Sequence, residues 1–587
     1  MSARQLTVTH LHARKPALRE LSFAVASGSI TCFLGQVGAG KSTLFKALNG
    51  LIPTVVPAKV DGQITVAGQN VHGKDTAFLA QFITLVFDDP VLQIVSLTAE
   101  EDVAFGPANM NLPREEIWSR VHAALERVGL AGFEKRDPRT MSGGEQQLLA
   151  VAGALAMRPS IIAFDEPVAM LDPIGKQRVL QAIRELNEQY GTTVLIAESG
   201  TDVEAVCEFA DYLFLMDKGG IIAEGKPGAV FCRRDLIELT KLKAPQVTRL
   251  AYQLESSEAL RTMPTTLGEG RELVLGLLQD SECSSPHTPL RGIESRPSAP
   301  LVASTPRPAV EVKNLHHVFP TDPPVHALRG IQLTLEAGDF VALLGQNGSG
   351  KTTLALHLVG MEKPTNPDAA VVIDGLEVQS TPLPKLVRSV NYLFQNPSDQ
   401  LFCETFGEEV TFGPRALGLA GNEAESLGRE AIRAVGLEHL WNEFSLGADR
   451  STETLLSLAS VLSMRPRVLI ADEPTGGLDY STAQSVMQIL EQYNRMGNTI
   501  IMITHDMELA AQHARRIVVL REGEIWMDGT PQDVFSKPER LAQTRLSPPQ
   551  ITRLAQSLAE WGFPSDVLSV DEFARILQTG RSDKSGA

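Results

Sequence analysis

No run of apolar residues in this 587-residue chain is long. The most apolar stretches, such as residues 194–197 and 500–503, are strand-sized and far short of the roughly 20 residues a membrane-crossing helix needs. Residues 1–15 hold no apolar core for export, so a soluble, intracellular protein is expected. Cysteine is scarce: Cys32, Cys207, Cys232, Cys283 and Cys403 are odd in number and not spaced as pairs. That pattern excludes a disulfide framework or a cysteine metal cluster and fits a reducing compartment. Positive charge is in deficit, with 53 Lys and Arg against 70 Asp and Glu, net −17. A broad nucleic-acid-binding surface is excluded on that balance, though a local basic patch is not. What remains is ordinary globular composition, long enough for two or more domains.

The organising stretch is Gly345-Gln346-Asn347-Gly348-Ser349-Gly350-Lys351-Thr352-Thr353. It follows an apolar strand candidate, residues 340–344, and precedes a helix candidate beginning at 354. Strand, Gly-rich turn and helix together make a phosphate-binding loop. Backbone N–H groups and the helix N-terminus face phosphate oxygens, Lys351 reaches the terminal phosphates, and Thr352 can hold magnesium. A chance Gly-rich turn is the bland alternative, but the loop recurs as Gly35-Gln36-Val37-Gly38-Ala39-Gly40-Lys41-Ser42-Thr43.

Other pairs follow at a nearly constant offset: Asp165-Glu166 with Asp472-Glu473, Leu171-Asp172 with Leu478-Asp479, and residues 245–251 with 549–555, both reading Pro-Gln-x-Thr-Arg-Leu-Ala. A whole domain is therefore duplicated. The boundaries read as a first domain 1–240, an extension 241–280, an exposed linker 281–309 rich in Ser, Pro, Arg and His, a second domain 310–547, and an extension and tail 548–587 frayed from about 579. Unbroken apolar runs at 161–164 and 194–197, with helical spacing between them, indicate βαβ units and a parallel α/β sheet.

Both Asp-Glu pairs end apolar strands. There Asp165 or Asp472 would support magnesium, and Glu166 or Glu473 would orient or deprotonate the attacking water. Ser142-Gly143-Gly144-Glu145, just before an apolar helix, forms a second anion-binding nest.

Phosphate loop, Ser-Gly-Gly-Glu signature, Asp-Glu strand end and Leu-Asp together resemble the ATP-binding cassette ATPases, twice over and across nearly the whole chain. The resemblance implies two tandem cassettes, each a parallel-sheet core with a helical subdomain, packed head to tail within one chain. It also implies ATP and Mg2+ bound between the phosphate loop of one cassette and the signature of the other. Residues 394–402 and 408–414, echoed by 101–107 and 48–53, resemble the ATPases of energy-coupling-factor importers. Those import B vitamins, their precursors, or cobalt and nickel ions. That resemblance implies a transmembrane scaffold protein, a small substrate-binding membrane protein, and a peripheral place on the cytoplasmic face of the membrane. Acidic residues Glu100, Glu101, Asp102, Asp399, Glu404, Glu408 and Glu409 are expected to meet basic scaffold helices.

The halves depart from the pattern in different places. The second keeps Gln395, a metal and water contact in the family, and His505, a γ-phosphate contact; the first has Asp88 and Ser199 there. The first keeps its signature, whereas the second has Asp449-Arg450-Ser451-Thr452. Asp449 should repel phosphate unless Arg450 offsets it. Head-to-tail pairing sorts every loss into one site. Lys351, Thr352, Gln395, Asp472, Glu473 and His505 with Ser142, Gly143 and Gly144 make a complete site. Lys41, Ser42, Asp88, Asp165, Glu166 and Ser199 with the Asp449 segment make a degenerate one. Phe319 and His12 are open candidates for adenine stacking, and Phe319 reads equally as a core aromatic. A tandem sugar-importer ATPase and a soluble cassette ATPase acting on ribosomes or DNA remain as alternatives.

Overall fold

The computed structural model describes residues 1–11, 13–168, 171, 173–200, 202–254, 262–279, 308–321, 324–445 and 447–582. The chain divides into two compact units, 1–273 and 274–587. Each carries a six-stranded sheet and a four-stranded sheet.

In the first unit the larger sheet runs Gly220–Gly225, Tyr212–Asp217, Ile30–Leu34, Thr193–Glu198, Ile161–Asp165, Ile83–Val86. All pairs are parallel except the edge pair Gly220–Gly225 with Tyr212–Asp217. The second unit repeats this order with Glu524–Gly529, Arg516–Arg521, Phe340–Gly345, Thr499–Ile503, Val468–Asp472 and Val390–Leu393. The central strands are apolar without alternation because both faces are covered, one by helices and the other by the phosphate-loop helix and the smaller sheet, and Ile161–Asp165 and Val468–Asp472 are buried at every position. Aromatic packing consolidates the first core, where Phe33 stacks on Phe214 at 5.0 Å and meets Phe45 edge-on at 5.6 Å.

The smaller sheets go beyond the parallel sheet that the apolar runs indicate. They are antiparallel, built on Ser2–His10 and Pro308–Phe319, and each central strand carries register shifts. Those irregularities interrupt the alternation by which a half-buried strand is recognised.

Register places the site. Leu343 pairs with Ile503, Gly345 with Leu520, and Asp472 with Ile503. The phosphate loop, the Asp-Glu pair and the segment after Ile503 therefore leave the sheet at one carboxyl edge, where ligands bind in open parallel sheets. Both phosphate-loop helices start at the lysine, Lys41–Leu48 and Lys351–Leu358, slightly earlier than apolar periodicity indicated.

The repeated Pro-Gln-x-Thr-Arg-Leu-Ala segments open helices Gln246–Gln253 and Gln550–Ser557. In each, the buried threonine hydroxyl donates to a carbonyl of the following segment, Thr248 to Pro264 and Thr552 to Val567 at 2.6 Å. The motif thus ties each extension back on itself. Most of the expected linker, residues 281–307, lies outside the described residues, and Pro308 already begins a strand. The final helix Val570–Ser582 runs into the segment expected to fray. Residues 583–587 lie outside the description.

Candidate active site

In the second unit these elements converge on a solvent-open cleft with about 470 Å³ of empty space. It is lined by Asn347, Gly348, Gly350, Lys351, Thr352, Thr353, Gln395, Asp472, Glu473, Ile503 and His505. Lys351 is buried and arches over its own loop, donating to the carbonyls of Gly345 at 2.7 Å and Gln346 at 2.9 Å. Gly350 turns the chain into the helix at φ 101°, and a Cβ there would lie 2.5 Å from the carbonyl oxygen of Ala327. Only glycine suits that conformation and that approach.

Asp472 ends its strand with Oδ2 accepting from the Thr352 hydroxyl at 3.2 Å and the Tyr392 hydroxyl at 2.5 Å. Burial pushes its carboxyl up, while these hydroxyls and Lys351 pull it back. Glu473 sits in the left-handed region at φ 46°, its N–H donating to Ile503 at 2.9 Å. Its Oε1 lies 3.4 Å from Nε2 of His505. Such strain in a non-glycine residue costs on the order of 1 kcal/mol and here aims a carboxylate into the cleft. Thr352, Asp472 and Gln395 supply only oxygen ligands toward a cation, the donor set of a hard divalent ion.

The first unit arranges the equivalent parts differently. Lys41 donates to Gly35 at 2.6 Å and Gln36 at 3.2 Å, and its Nζ lies 3.7 Å from Oε1 of Glu166. Glu166 adopts φ 50°, matching Glu473. The Asp165 carboxyl is raised by burial first and also by Asp88, and the Ser42 hydroxyl pulls it back. Ser199 is buried where the second unit presents His505.

Glu198 is the residue that sequence reasoning missed. It is 0% exposed and accepts the N–H groups of Gly200 at 3.0 Å and Asp202 at 3.1 Å. Asp202 in turn pairs with Nζ of Lys176 at 2.5 Å. The second unit has neutral Thr504 there, accepting from the N–H of Asp506 at 3.0 Å. Burial, then the Glu198 charge, drives the Glu166 carboxyl well above its ordinary range, against Lys41 and the Ser199 N–H. The available signal was an acid closing the apolar run 194–197.

The signature segment lies in the first unit. Ser142 caps helix Gly143–Met157 in a reciprocal box with Glu145, whose Oε2 accepts the Ser142 N–H at 2.8 Å. A Cβ on Gly143 would meet nothing within 4 Å, so packing around it does not require glycine. Asp449 still caps its helix, accepting from the Thr452 N–H at 3.1 Å, and Arg450 folds onto the Gly476 carbonyl at 3.4 Å. Asp479 caps helix Tyr480–Arg495, whereas its counterpart Asp172 and the stacking candidate His12 lie outside the described residues. Phe319 is half-buried and packs edge-on against His317 at 4.5 Å.

Of the acids expected to form a face after Phe87 and Phe394, Glu101, Asp399, Glu404 and Glu408 are exposed, whereas Glu100, Asp102 and Glu409 are drawn into their own units. Asp102 accepts the N–H groups of Val95 and Ser96, and buried Glu409 accepts those of Phe402 and Cys403. Glu100 pairs with Lys135, and Glu408 caps its helix. Asp102, Glu408 and Glu409 answer backbone donors, a demand no charge pattern reveals. Beside the exposed acids the same stretches present apolar side chains: Val91, Leu92, Val95, Leu97 and Phe105 in the first unit, Phe402 and Phe412 in the second.

Sheet order, strained Asp-Glu corner and lysine-bearing loop define a phosphate-loop nucleotide hydrolase. The family described as ABC transporter matches twice, over residues 18–169 and 328–476. A provisionally named ABC transporter ATP-binding protein of Caldanaerobacter subterraneus subsp. tengcongensis is 38% identical over 95% of both chains. Another, from Methanosarcina acetivorans, is 37% identical over 98% of this chain and 93% of its own. The solved structure of cbiO1 from Clostridium perfringens, described as part of the ABC transporter complex cbiONQ, is 30% identical over 42% of this chain and 99% of its own, with TM-score 0.37. The chain belongs to the ABC transporter family, as an ATPase carrying two cassettes in one polypeptide.

The Glu166–Glu198 pair makes stability pH-dependent in a definite sense. A carboxyl raised in the folded state holds its proton more tightly than in the unfolded chain. The stability it contributes is complete below the ordinary carboxylate range and is lost as pH rises through the raised value. Glu198→Gln keeps the acceptor and removes the charge. It should raise the unfolding temperature at pH 8, by about 2–4 °C per kcal/mol relieved, and change it little at pH 5. An equal shift at both pH values in thermal unfolding would contradict the charge account.

Proposed function

We propose that the chain is the ATP-hydrolysing energy subunit of an energy-coupling-factor type importer, working with one competent and one degenerate ATP site. The observation that carries the asymmetry is the second unit's cleft, which gathers Lys351, Thr352, Gln395, Asp472, Glu473 and His505 around one space. The first unit has Asp88, Glu198 and Ser199 in the matching places.

In this reading Lys351 leaves its loop carbonyls for phosphate oxygens, Glu473 orients the attacking water, and His505 holds Glu473 and the γ-phosphate in register. Mg2+ held by Thr352, Asp472 and Gln395 would neutralise charge on the phosphates. Ser142, Gly143, Gly144 and Glu145 complete the site from the other cassette. The freedom around Gly143 supports this: a poor helix former kept where packing does not need it fits close approach by a ligand.

Glu473→Gln or Lys351→Ala should abolish steady-state ATP turnover by the assembled complex, while Lys41→Ala leaves measurable turnover. Each of the first two removes charge stabilisation or water activation, effects of roughly 10²-fold or more. Gly143→Asp should match Glu473→Gln. Equal residual rates for Lys41→Ala and Lys351→Ala would sink the asymmetry.

The importer reading is supported by the coupling-factor motifs and by the exposed apolar residues that follow Asp88 in the first unit and Gln395 in the second. No helix among the described residues is long and apolar enough to cross a membrane, so a membrane partner must be met at a surface. Phe402 and Phe412 are 60% and 48% exposed, with rings 4.7 Å apart, the kind of aromatic anchor that dominates interfaces. Phe402→Ser with Phe412→Ser should abolish co-purification with the membrane scaffold and spare nucleotide binding. Undiminished co-purification would count against docking at this face.

A further inference from the structure

One buried hydroxyl at the second cleft belongs to no motif. Tyr392 is 6% exposed on Val390–Leu393, the outermost strand of its sheet, and its phenol donates to Oδ2 of Asp472 at 2.5 Å. The ring is braced edge-on by Phe394 at 4.8 Å and 80°. Strand register puts Tyr392 beside Ile470 and Leu393 beside Ala471, so the phenol reaches along the pair to the aspartate at the strand end. Asp472 Oδ2 thus takes two hydroxyl donors, Tyr392 from the sheet side and Thr352 from the phosphate loop. Two donors on one oxygen fix the plane of the carboxylate at the cleft wall.

The first unit lacks this arrangement. The position matching Tyr392, two residues before Phe87 as Tyr392 is before Phe394, is Leu85, which pairs with Ala163 and donates nothing. Asp165 is influenced by the Ser42 hydroxyl, and its Oδ1 has no hydrogen-bond partner among the described residues. The difference coincides with the split between the complete and the degraded residue sets.

We propose that Tyr392 is a positioning residue for the second unit's reaction, acting through Asp472 to set that carboxylate for a divalent cation. This rests on reading the cleft as a magnesium–nucleotide site. Outer-shell donors to a metal-binding carboxylate typically govern affinity by 10- to 100-fold.

The test uses the full-length chain in a Lys41→Ala background, so that signal comes from the second unit. A fluorescent, non-hydrolysable ATP analogue is titrated with and without Mg2+, which reads binding without turnover. Tyr392→Phe removes one oxygen and keeps the ring. It should raise the Mg2+ concentration for half-maximal enhancement of binding by about 10-fold or more and leave Mg2+-free affinity unchanged. In an Asp472→Asn background the same substitution should have no further effect on Mg2+ dependence, since the group it acts through is gone. An unchanged Mg2+ requirement in Tyr392→Phe overturns the inference. So does equal loss of affinity with and without Mg2+, or failure to fold, because either shows the hydroxyl serving the structure alone. A parent chain whose binding is indifferent to Mg2+ overturns the underlying reading of the cleft, and the inference with it.

Discussion

Lys351 and Asp472 are 7% and 4% exposed at the carboxyl edge of one parallel sheet, and burying charge there is the constraint on which the rest of the cleft depends. Each is held by partners the fold brings to it: loop carbonyls for the lysine, two hydroxyls for the aspartate. Without them a buried ion would lose its charge or destabilise the unit. The register of adjacent strands, which ends Asp472 level with Ile503, delivers those partners to one place. The same architecture excludes a relaxed backbone at Glu473, and the left-handed turn there directs the carboxylate at the space the lysine guards.

The first unit shows what changes when that arrangement is edited. Its strands, loop geometry and strained glutamate are retained, but two buried carboxylates, Asp165 and Glu198, and the half-buried Glu166 lie around Lys41. Glu198 is tied into a local network through Gly200, Asp202 and Lys176, so its acid is built into the fold of that corner. A cluster with surplus buried negative charge opposes a polyphosphate more than the second unit does, where Thr504 is neutral. Loss of the histidine and gain of an acid therefore act in the same direction.

The phosphate loops were legible because Gly350 and Gly40 occupy conformations that other residues rarely adopt, so the motif and the geometry are one fact. The parallel strands were legible because double-sided burial writes unbroken apolar runs. The antiparallel sheets were not, since register shifts break their alternation. Tyr392 was hidden because an aromatic in an apolar strand reads as core, and only its partner across the sheet gives it a role. Glu198 was hidden for the converse reason: a polar strand end reads as exposed, and here it is fully buried. The acids Asp102 and Glu409 misled by composition, because the turn N–H groups they serve leave no mark in sequence.

The central claim is that one of two phosphate loops turns over ATP. Vanadate trapping of ADP on the full complex, counted per chain after removal of free nucleotide, reads this directly. One trapped ADP per chain, cross-linked to the unit that carries Lys351, is the predicted result. Two trapped per chain, or one cross-linked to the unit that carries Lys41, would contradict the account.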